Sequence, residues 1–545
     1  MRKLNMKMPA SRRWSMALTL VLALALVLTG CGGTSDNASA PANDGSGNAN
    51  TESGFNEEGL PIVSEPITLK VLTMRWGNMG DTFTKNQWLQ DLEKNTNVKI
   101  EWQVVSSNDW NEQKSIMLAS GTLPDIILGD QTLSDSDIIN NLNYFRPLDD
   151  YIDTYMPNLK AAMEQSPELK KISTFPDGKM YSLPASQPAS PKSTRQPVIN
   201  KQWLDKLGLA VPDTIEDLHT VFQAFKEQDP NGNGKKDEIP YTEAGLGALL
   251  DPFGITDLNN NNMMVKDGQP LFIPTSEEYK AGIKWANQLY SEGLIDKELY
   301  TQDGSMTSAK QQNMEAPIVG FSYQWTPDAV FGKWGDQYVA IPPLKGPDGQ
   351  RYQNGNPNGN GLSRNQLLIT TFCEYPEVAA RWADQFYTDE ASIQNFWGAI
   401  GTVIQKNEDG TYTLMDPPEG TSADAWYWEQ SLRSFGPKYV SPSFEEKLVL
   451  NPETGDGLKL EIDKLGSEFV TMPFPSVMYT ADEFRELPTL TTDIDSYVAT
   501  MRAGWVTKGG IDKDWDTYIK KLNDMGLERL MQIRTEAYNR YAGAK

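Results

Sequence analysis

The chain has very few of the residues that most enzymes use for nucleophilic or metal chemistry. Its 545 residues include two cysteines, Cys31 and Cys373, and one histidine, His219. If Cys31 is modified, Cys373 has no partner for an intrachain disulfide. His219 shares a helical face with Ile215 and Phe222, which favours a place at the edge of a core. Ser-His-Asp, Cys-His and multi-histidine zinc sites therefore have almost no support.

Basic residues are also scarce relative to acidic ones. The chain has 49 Lys and Arg against 73 Asp and Glu, a formal charge of −24. This balance argues against nucleic acid and an anionic membrane surface as direct partners. Beyond the N-terminal leader, no apolar run approaches the ~20 residues of a spanning helix. The roughly 490 residues that follow exceed the ~250–300 at which single cores stop growing, so two or more lobes are expected.

The N-terminus carries the features of a secretion signal. A basic start is followed by the apolar run Met16–Leu28, whose length suits the core of a signal peptide. Leu28-Thr-Gly-Cys31 resembles the bacterial lipobox. This resemblance implies a leader over residues 1–30, acylation of Cys31 (palmitate among the acyl chains) and a place on the cell membrane, facing outside the cytoplasm. An ordinary signal peptide with an accidental cysteine is the alternative.

A polar segment follows the lipobox. Residues 31–54 are rich in Gly, Ser, Asn and Ala and contain no large apolar side chain. Such a segment buries too little surface to offset its ordering entropy, so it is predicted to be a flexible tether.

The first part of the body alternates predicted strands and helices. Ile67–Thr73 and Val98–Val104 alternate as strands, Asn86–Asn95 and Asp109–Ser120 have helical periodicity, and Gly121–Leu128 leads into a third strand. This order predicts a parallel sheet covered by helices. Ligands of such sheets bind beyond the carboxyl ends of the strands.

A series of motifs in the body resembles the extracellular solute-binding proteins of ABC importers. The resemblance is to the large sugar-binding type, and within it to the lipoprotein subgroup that includes alginate-binding proteins. Each motif is weak alone, but their shared order is specific. The motifs are Leu123–Ile127, Phe145–Ile152, Pro176–Pro184, Ile199–Leu209, Ala281–Asp296, Ala340–Gly349, Tyr375–Tyr387 and Gly504–Gly509.

The resemblance implies a two-lobed α/β fold of the periplasmic-binding-protein type, with a hinge and an interlobe cleft. Lobe one is expected to comprise residues 55–185 and 343–405, and lobe two residues 186–342 and 406–545. Pro184–Ile199 is Ser- and Pro-rich and is independently predicted to be a connector. The implied function is that of a monomeric, lipid-anchored, non-enzymatic receptor, which captures an oligosaccharide and delivers it to the permease subunits of an ABC-type importer.

Aromatic and polar residues near predicted strand ends are candidate ligand contacts. Flat rings suit the apolar faces of sugars, and polar side chains bond their hydroxyls. The segment Phe321–Trp325 also resembles the one that carries a sugar-stacking tryptophan in maltodextrin-type relatives. Core packing is the alternative for each aromatic residue. The candidates at predicted strand ends are Trp76, Asn78, Asp130, Tyr323 and Trp325, and two more, Trp426 and Trp428, come from a dense aromatic cluster that the sequence does not place.

The segment from residue 229 to residue 240 matches the first half of an EF-hand loop. Oxygen side chains stand at alternate positions and Gly234 is sixth, but Pro240 stands where the closing glutamate should be. A structural calcium ion is predicted here, with a polar turn that binds no metal as the alternative. The predicted ligands are Asp229, Asn231, Asn233, Lys235 through its carbonyl, Asp237 and Glu238.

Two other functions remain open from the sequence. A secreted polysaccharide-degrading enzyme needs only two carboxylates, and the chain has many. A peptide-binding receptor would share the fold. The residues do not name the sugar, its linkage or its length.

Overall fold

The computed structural model describes residues 54–543, apart from 76–80, 130, 244, 257, 259–260, 356–360, 420 and 422. These residues belong to one compact unit, residues 49–545. The predicted leader 1–30, Cys31, the tether up to residue 53, Trp76, Asn78 and Asp130 lie outside the described residues.

The strands within the described residues form two main sheets and two small ones. They are β1 (Ile67–Arg75), β2 (Val98–Ser106), β3 (Ile126–Leu128), β4 (Leu183–Ser186), β5 (Gln196–Asn200), β6 (Ile239–Tyr241), β7 (Met263–Lys266), β8 (Gln269–Phe272), β9 (Val319–Gln324), β10 (Tyr338–Ala340), β11 (Leu362–Ile369), β12 (Ile404–Lys406), β13 (Tyr412–Leu414) and β14 (Leu448–Val449).

Helices cover the main sheets and make up most of the C-terminal part. They are α1 (Gln87–Thr96), α2 (Ser107–Ser120), α3 (Asp135–Asn140), α4 (Asp149–Tyr155), α5 (Pro157–Gln165), α6 (Pro167–Ser173), α7 (Lys201–Leu207), α8 (Ile215–Glu227), α9 (Glu277–Ser291), α10 (Gly304–Gln311), α11 (Pro327–Phe331), α12 (Pro376–Asp384), α13 (Asp389–Phe396), α14 (Ala423–Gln430), α15 (Pro442–Glu445), α16 (Gly455–Asp463), α17 (Ala481–Lys508), α18 (Ile511–Asp524) and α19 (Leu527–Gly543). Among all the described residues, no helix has both the length and the apolar character of a membrane span.

The first main sheet has the strand order β2-β1-β3-β11-β4. β1 pairs in parallel with β2 and β3, which confirms the predicted strand–helix–strand–helix–strand unit. β11 joins antiparallel to β3 and β4. The central strand β3 is apolar and fully buried, and the neighbouring strand β1 is buried from Val71 to Arg75, as expected for a sheet that is covered on both faces.

The second main sheet has the order β10-β5-β9-β6. The chain enters it between β4 and β5 and returns to the first sheet between β10 and β11. Each main sheet has its own apolar core, so the fold is two-lobed α/β. Val71 and Ile127 are fully buried in the first core, and Phe225 and Phe321 in the second.

A third, smaller core lies around the sheet β12-β13-β14 and helix α14. The segment after α14 returns to the first sheet: Leu432, Phe435 and Tyr439 belong to the first core, and Ala185 of β4 forms a parallel bridge with Lys438. The sequence assigned all residues from 406 onward to lobe two. The packing of these side chains places residues 432–439 with the first sheet instead.

Two helical regions of the chain are interrupted. Helices α12 and α13 are separated by a 3-10 turn, and α13 begins anew because the Thr388 side chain caps the Ala391 amide. Helices α18 and α19 are separated by a short break. Gly526, at φ +98° between them, adopts a backbone conformation that other residues rarely take.

Candidate functional site

The carboxyl ends of the strands place several polar and aromatic groups at the sheet edges. In the first lobe β1 ends at Arg75, and in the second lobe β6 and the parallel strand β9 end at Tyr241 and Gln324. Ligands of open α/β folds bind at such edges. Three of the predicted contacts follow β1 and β3 directly but lie outside the described residues.

Arg75 joins the end of β1 to helix α14. The residue is 1% exposed, and its guanidinium lies 4.5 Å from the centre of the Phe83 ring and 4.9 Å from that of Trp428. It donates to the carbonyl oxygens of Trp428 and Leu432, and burial lowers its pKa to about 10. This contact fixes the half-buried Trp428 ring at the edge of the first sheet.

Glu243 organises the edge of the second sheet. Its Oε1 accepts hydrogen bonds from the Ser322 hydroxyl, the Tyr323 amide (3.1 Å) and the Gln324 side chain (2.9 Å). Arg195, half exposed, lies 3.5 Å from the other oxygen. Burial raises the pKa of Glu243, while the Ser322 hydrogen bond and the Arg195 charge oppose that shift. The result is a fixed carboxylate with a solvent-facing guanidinium beside it.

Sequence reasoning missed Arg75, Arg195 and Glu243. Glu243 stands two residues after β6 and Arg195 directly before β5, so a charged residue next to a strand end was the available signal. The pairing itself joins positions far apart in the chain.

The predicted aromatic contacts differ in exposure. Trp325 follows β9 directly and remains 42% exposed. Tyr323 is 2% exposed and packs edge-on against Phe321, with the ring centres 5.3 Å apart. Trp426 is buried in the third core, next to Tyr427. The structure therefore leaves Trp325 open, whereas protein covers the rings of Tyr323 and Trp426.

The loop after α8 folds around its own oxygen side chains. Asp229, at φ +48°, accepts hydrogen bonds from the backbone amides of Gly232 (3.0 Å), Asn233 (3.1 Å) and Gly234 (3.1 Å). The side-chain amides of Asn231 and Asn233 reach the Asp237 carboxylate at 3.0 and 3.1 Å. These contacts bring four of the six predicted metal ligands together.

The remaining two predicted ligands differ from each other. Glu238 Oε1 is buried and has no hydrogen-bond partner among the described residues. Burial and the charges of Asp229 and Asp237 raise the pKa of this carboxyl. The Lys235 side chain points away, to Glu315 at 3.1 Å, so only its carbonyl is available to an ion. The exiting segment is strand β6, as expected from Pro240.

The oxygen groups of this loop suit a hard cation, although carboxylates supply only some of them. In the described part of the chain, no three His, Cys, Asp or Glu side chains form a group that could hold a metal. An ion here would need the amide oxygens of Asn231 and Asn233 as well as the carboxylates. The orphaned, buried oxygen of Glu238 is the observation that fits a bound cation.

Comparison with known proteins gives matches over nearly the whole body. Residues 76–393 match the family model described as bacterial extracellular solute-binding protein. The chain is 33% identical over 525 residues to the fructooligosaccharide ABC transporter substrate-binding protein FusA of Streptococcus pneumoniae, covering 92% of this chain and 96% of FusA.

Solved structures agree with the sequence match. FusA in complex with kestose has a TM-score of 0.76 at 32% identity and covers 88% of this chain and 100% of FusA. An HMO-binding, ABC-transporter-associated solute-binding protein from Bifidobacterium longum infantis has a TM-score of 0.77 at 28% identity, with coverage of 88% of this chain and 99% of that chain. The alginate-binding protein AlgQ2, at 24% identity and a TM-score of 0.67, shares the fold, with coverage of 87% and 98%. The chain therefore belongs to the bacterial extracellular solute-binding proteins.

Proposed function

We propose that this protein is the substrate-binding component of an ABC-type importer and that its ligand is an oligosaccharide. The observation that carries the proposal is the end-to-end similarity to FusA, a fructooligosaccharide-binding protein. The open indole of Trp325 and the hydrogen-bonding groups at the sheet edges supply the two kinds of contact that a sugar needs.

The ligand contacts are proposed at both sheet edges. Trp325 and Arg195 serve from the second lobe, and Trp428 from the first, with Glu243 holding Arg195 in place. Trp76, Asn78 and Asp130 stay predictions on the first lobe. Tyr323 and Trp426 are proposed to be packing residues because protein covers their rings.

The lobes are proposed to be joined by three chain crossings. Ser193, between β4 and β5, forms a bridge with Gly355, and Gln353 forms one with Val470. The first crossing is also tied to the second by the Gln353 side chain, which donates to the Arg195 carbonyl. Lobe one would then comprise residues 55–186 and 362–454, and lobe two residues 196–341 and 471–543. Closure would bend the three crossings together.

Calcium is proposed as a structural ion in the loop from Asp229 to Glu238. A solved structure of an EF-hand mutant of FusA in complex with fructo-nystose supports an EF-hand site in a related protein. Asp229, Asn231, Asn233, Asp237, Glu238 and the Lys235 carbonyl would hold the ion. When bound, it would neutralise the carboxylates that face one another in the loop.

The protein is further proposed to be a monomeric lipoprotein without enzymatic activity. Acylation of Cys31 would keep the body on the outer face of the cell membrane, beside the permease. Among the described residues, nothing at the sheet edges favours a specific catalytic carboxylate pair.

The test is calorimetric titration of the purified body with kestose, neutral milk-type oligosaccharides and trigalacturonate, followed by chromatography of the mixtures. Stoichiometric binding without products supports the receptor. Turnover of a sugar refutes it in favour of an enzyme, and absence of binding across the panel refutes the oligosaccharide ligand.

A further inference from the structure

Lys459, on helix α16, is a buried charge without a hydrogen bond. The residue is 1% exposed, and its ammonium nitrogen has no hydrogen-bond partner among the described residues. The ammonium lies 4.7 Å from the centre of the Trp325 ring, in a cation–π contact. Buried charges are normally paired, because an unpaired one loses its hydration without compensation.

The carboxylate that acts on this ammonium already accepts hydrogen bonds from other donors. Asp463, one turn further along α16, attracts the ammonium electrostatically. Its oxygens, however, accept hydrogen bonds from the backbone amides of Lys192 (3.0 Å) and Ser193 (2.9 Å), and from the Ser193 hydroxyl. Asp463 therefore holds the first crossing between the sheets and leaves the donors of Lys459 unused. The burial of Lys459 lowers its pKa to about 8.

The position of this ammonium connects two parts of the proposed site. Trp325 stands at the carboxyl edge of the second sheet and is a predicted aromatic contact whose side chain remains 42% exposed. A sugar offers an apolar face for such a ring and, around the same ring, oxygen atoms that accept hydrogen bonds. An ammonium with free donors beside an open indole matches both features of one ligand.

We propose that Lys459 is a ligand-binding residue, whose ammonium donates hydrogen bonds to oxygen atoms of the sugar unit that binds at Trp325. The inference rests on the proposed function and names a contact within that site. The acceptors are hydroxyl or ring oxygens in a neutral sugar and carboxylate oxygens in an acidic one. In the ligand-free protein, the cation–π contact with the Trp325 indole partly compensates the buried charge of Lys459.

The proposal predicts opposite effects of one substitution on stability and on binding. Lys459→Met keeps the aliphatic length and removes the unpaired charge, so the melting temperature of the ligand-free protein should stay equal or rise. Sugar affinity should fall about tenfold to a hundredfold, as expected when a charged donor to the ligand is lost. A lysine with a merely structural role would give lower stability together with unchanged affinity per folded molecule.

The experiment is calorimetry and thermal melting of the wild type, Lys459→Met and Lys459→Arg, with kestose as the neutral ligand and trigalacturonate as the acidic one. Lys464→Met is the matched control, because Lys464 is exposed and pairs with Glu461 at 2.6 Å. The control should bind like the wild type. Lys459→Arg keeps charge and donors, so it should bind more tightly than Lys459→Met, and it carries the test if the latter does not fold.

The outcomes separate this inference from the function on which it rests. Loss of affinity in Lys459→Met with unchanged or raised stability supports the contact, and the ligand affected identifies the acceptor as neutral or acidic. Equal affinity of Lys459→Met and wild type overturns the inference and leaves the proposed function standing. Should Lys459→Met not fold, Lys459→Arg decides, because the guanidinium places its donors differently from the ammonium: an altered sugar affinity of the folded variant supports the contact, and wild-type affinity overturns it. A wild type that binds neither sugar overturns both.

Discussion

Removal of one charge from the loop after α8 should abolish its response to calcium. Asp229→Asn is the chosen change because Asp229 accepts three backbone hydrogen bonds. An asparagine oxygen can keep the two that Oδ1 receives, from Gly232 and Asn233, whereas alanine would lose all three. The loop should thus persist in Asp229→Asn while its affinity for a divalent cation falls.

The magnitude follows from linkage between binding and folding. An ion at a hundredfold excess over its Kd stabilises the folded state by ~2.7 kcal/mol. At an unfolding entropy of ~2.1 cal/mol/K per residue, this corresponds to ~3 °C if roughly 490 residues unfold together, or ~6 °C if lobe two unfolds alone. Calcium should therefore raise the wild-type melting temperature by a few degrees over EDTA, more than magnesium does, and Asp229→Asn should remove the difference.

Glu238→Gln gives an independent check, because it should reduce the effect of calcium without lowering the melting temperature of the ion-free protein. Among the described residues, its Oε1 has no hydrogen-bond partner, and burial raises the pKa of its carboxyl. Removing the charge should leave the melting temperature in EDTA equal or higher, while the increment from calcium shrinks. Asp409→Asn is the control, since Asp409 forms a similar local turn, with Thr411 (3.0 Å), and should keep the full increment.

The assay is differential scanning calorimetry with calcium, magnesium or EDTA, combined with sugar titration under the same conditions. Sugar affinity should change little because none of the proposed sugar contacts belongs to this loop. The reasoning is refuted if chelation leaves the wild-type melting temperature unchanged, or if it abolishes sugar binding without changing stability.

Four further predictions concern the ligand site and the anchor. Trp325→Ala should weaken sugar binding by ~2 kcal/mol, about thirtyfold in Kd, without a change in fold; unchanged affinity in calorimetry would assign the ring to packing. Cys31→Ser should move the protein from the membrane fraction to the medium, and retention after a salt wash would contradict the lipobox. Because burial lowers the pKa of Lys459 to about 8, below that of an unfolded lysine, its charge destabilises the fold below pH 8. That penalty, ~3 kcal/mol, should disappear as the pH rises from 8 to 10.5, so the wild type should gain stability relative to Lys459→Met over this range; parallel denaturation curves would contradict it. Saturating sugar should reduce the radius of gyration in small-angle scattering, and an unchanged radius would argue against lobe closure.

Features that depend on neighbouring residues could be predicted from the sequence. The alternation in Ile67–Thr73 and Val98–Val104 identified two parallel strands correctly, and the spacing from Asp229 to Asp237 identified oxygen groups that converge in the fold. The oxygen groups of the loop lie within a few residues of one another, and the two strands are separated by a single α-helix. Side-chain periodicity and loop spacing report such local geometry directly.

Features that depend on distant residues required the tertiary structure. Arg75 contacts Trp428, Arg195 contacts Glu243 and Lys459 contacts Trp325, each across a long stretch of chain. The sequence shows that Trp325 follows a strand, but not that its ring stays open while that of Tyr323, two residues earlier, is covered. Alternate residues of a strand face the same side, so periodicity groups these two rings together. Only the packing of other segments over each ring decides which one a ligand can reach.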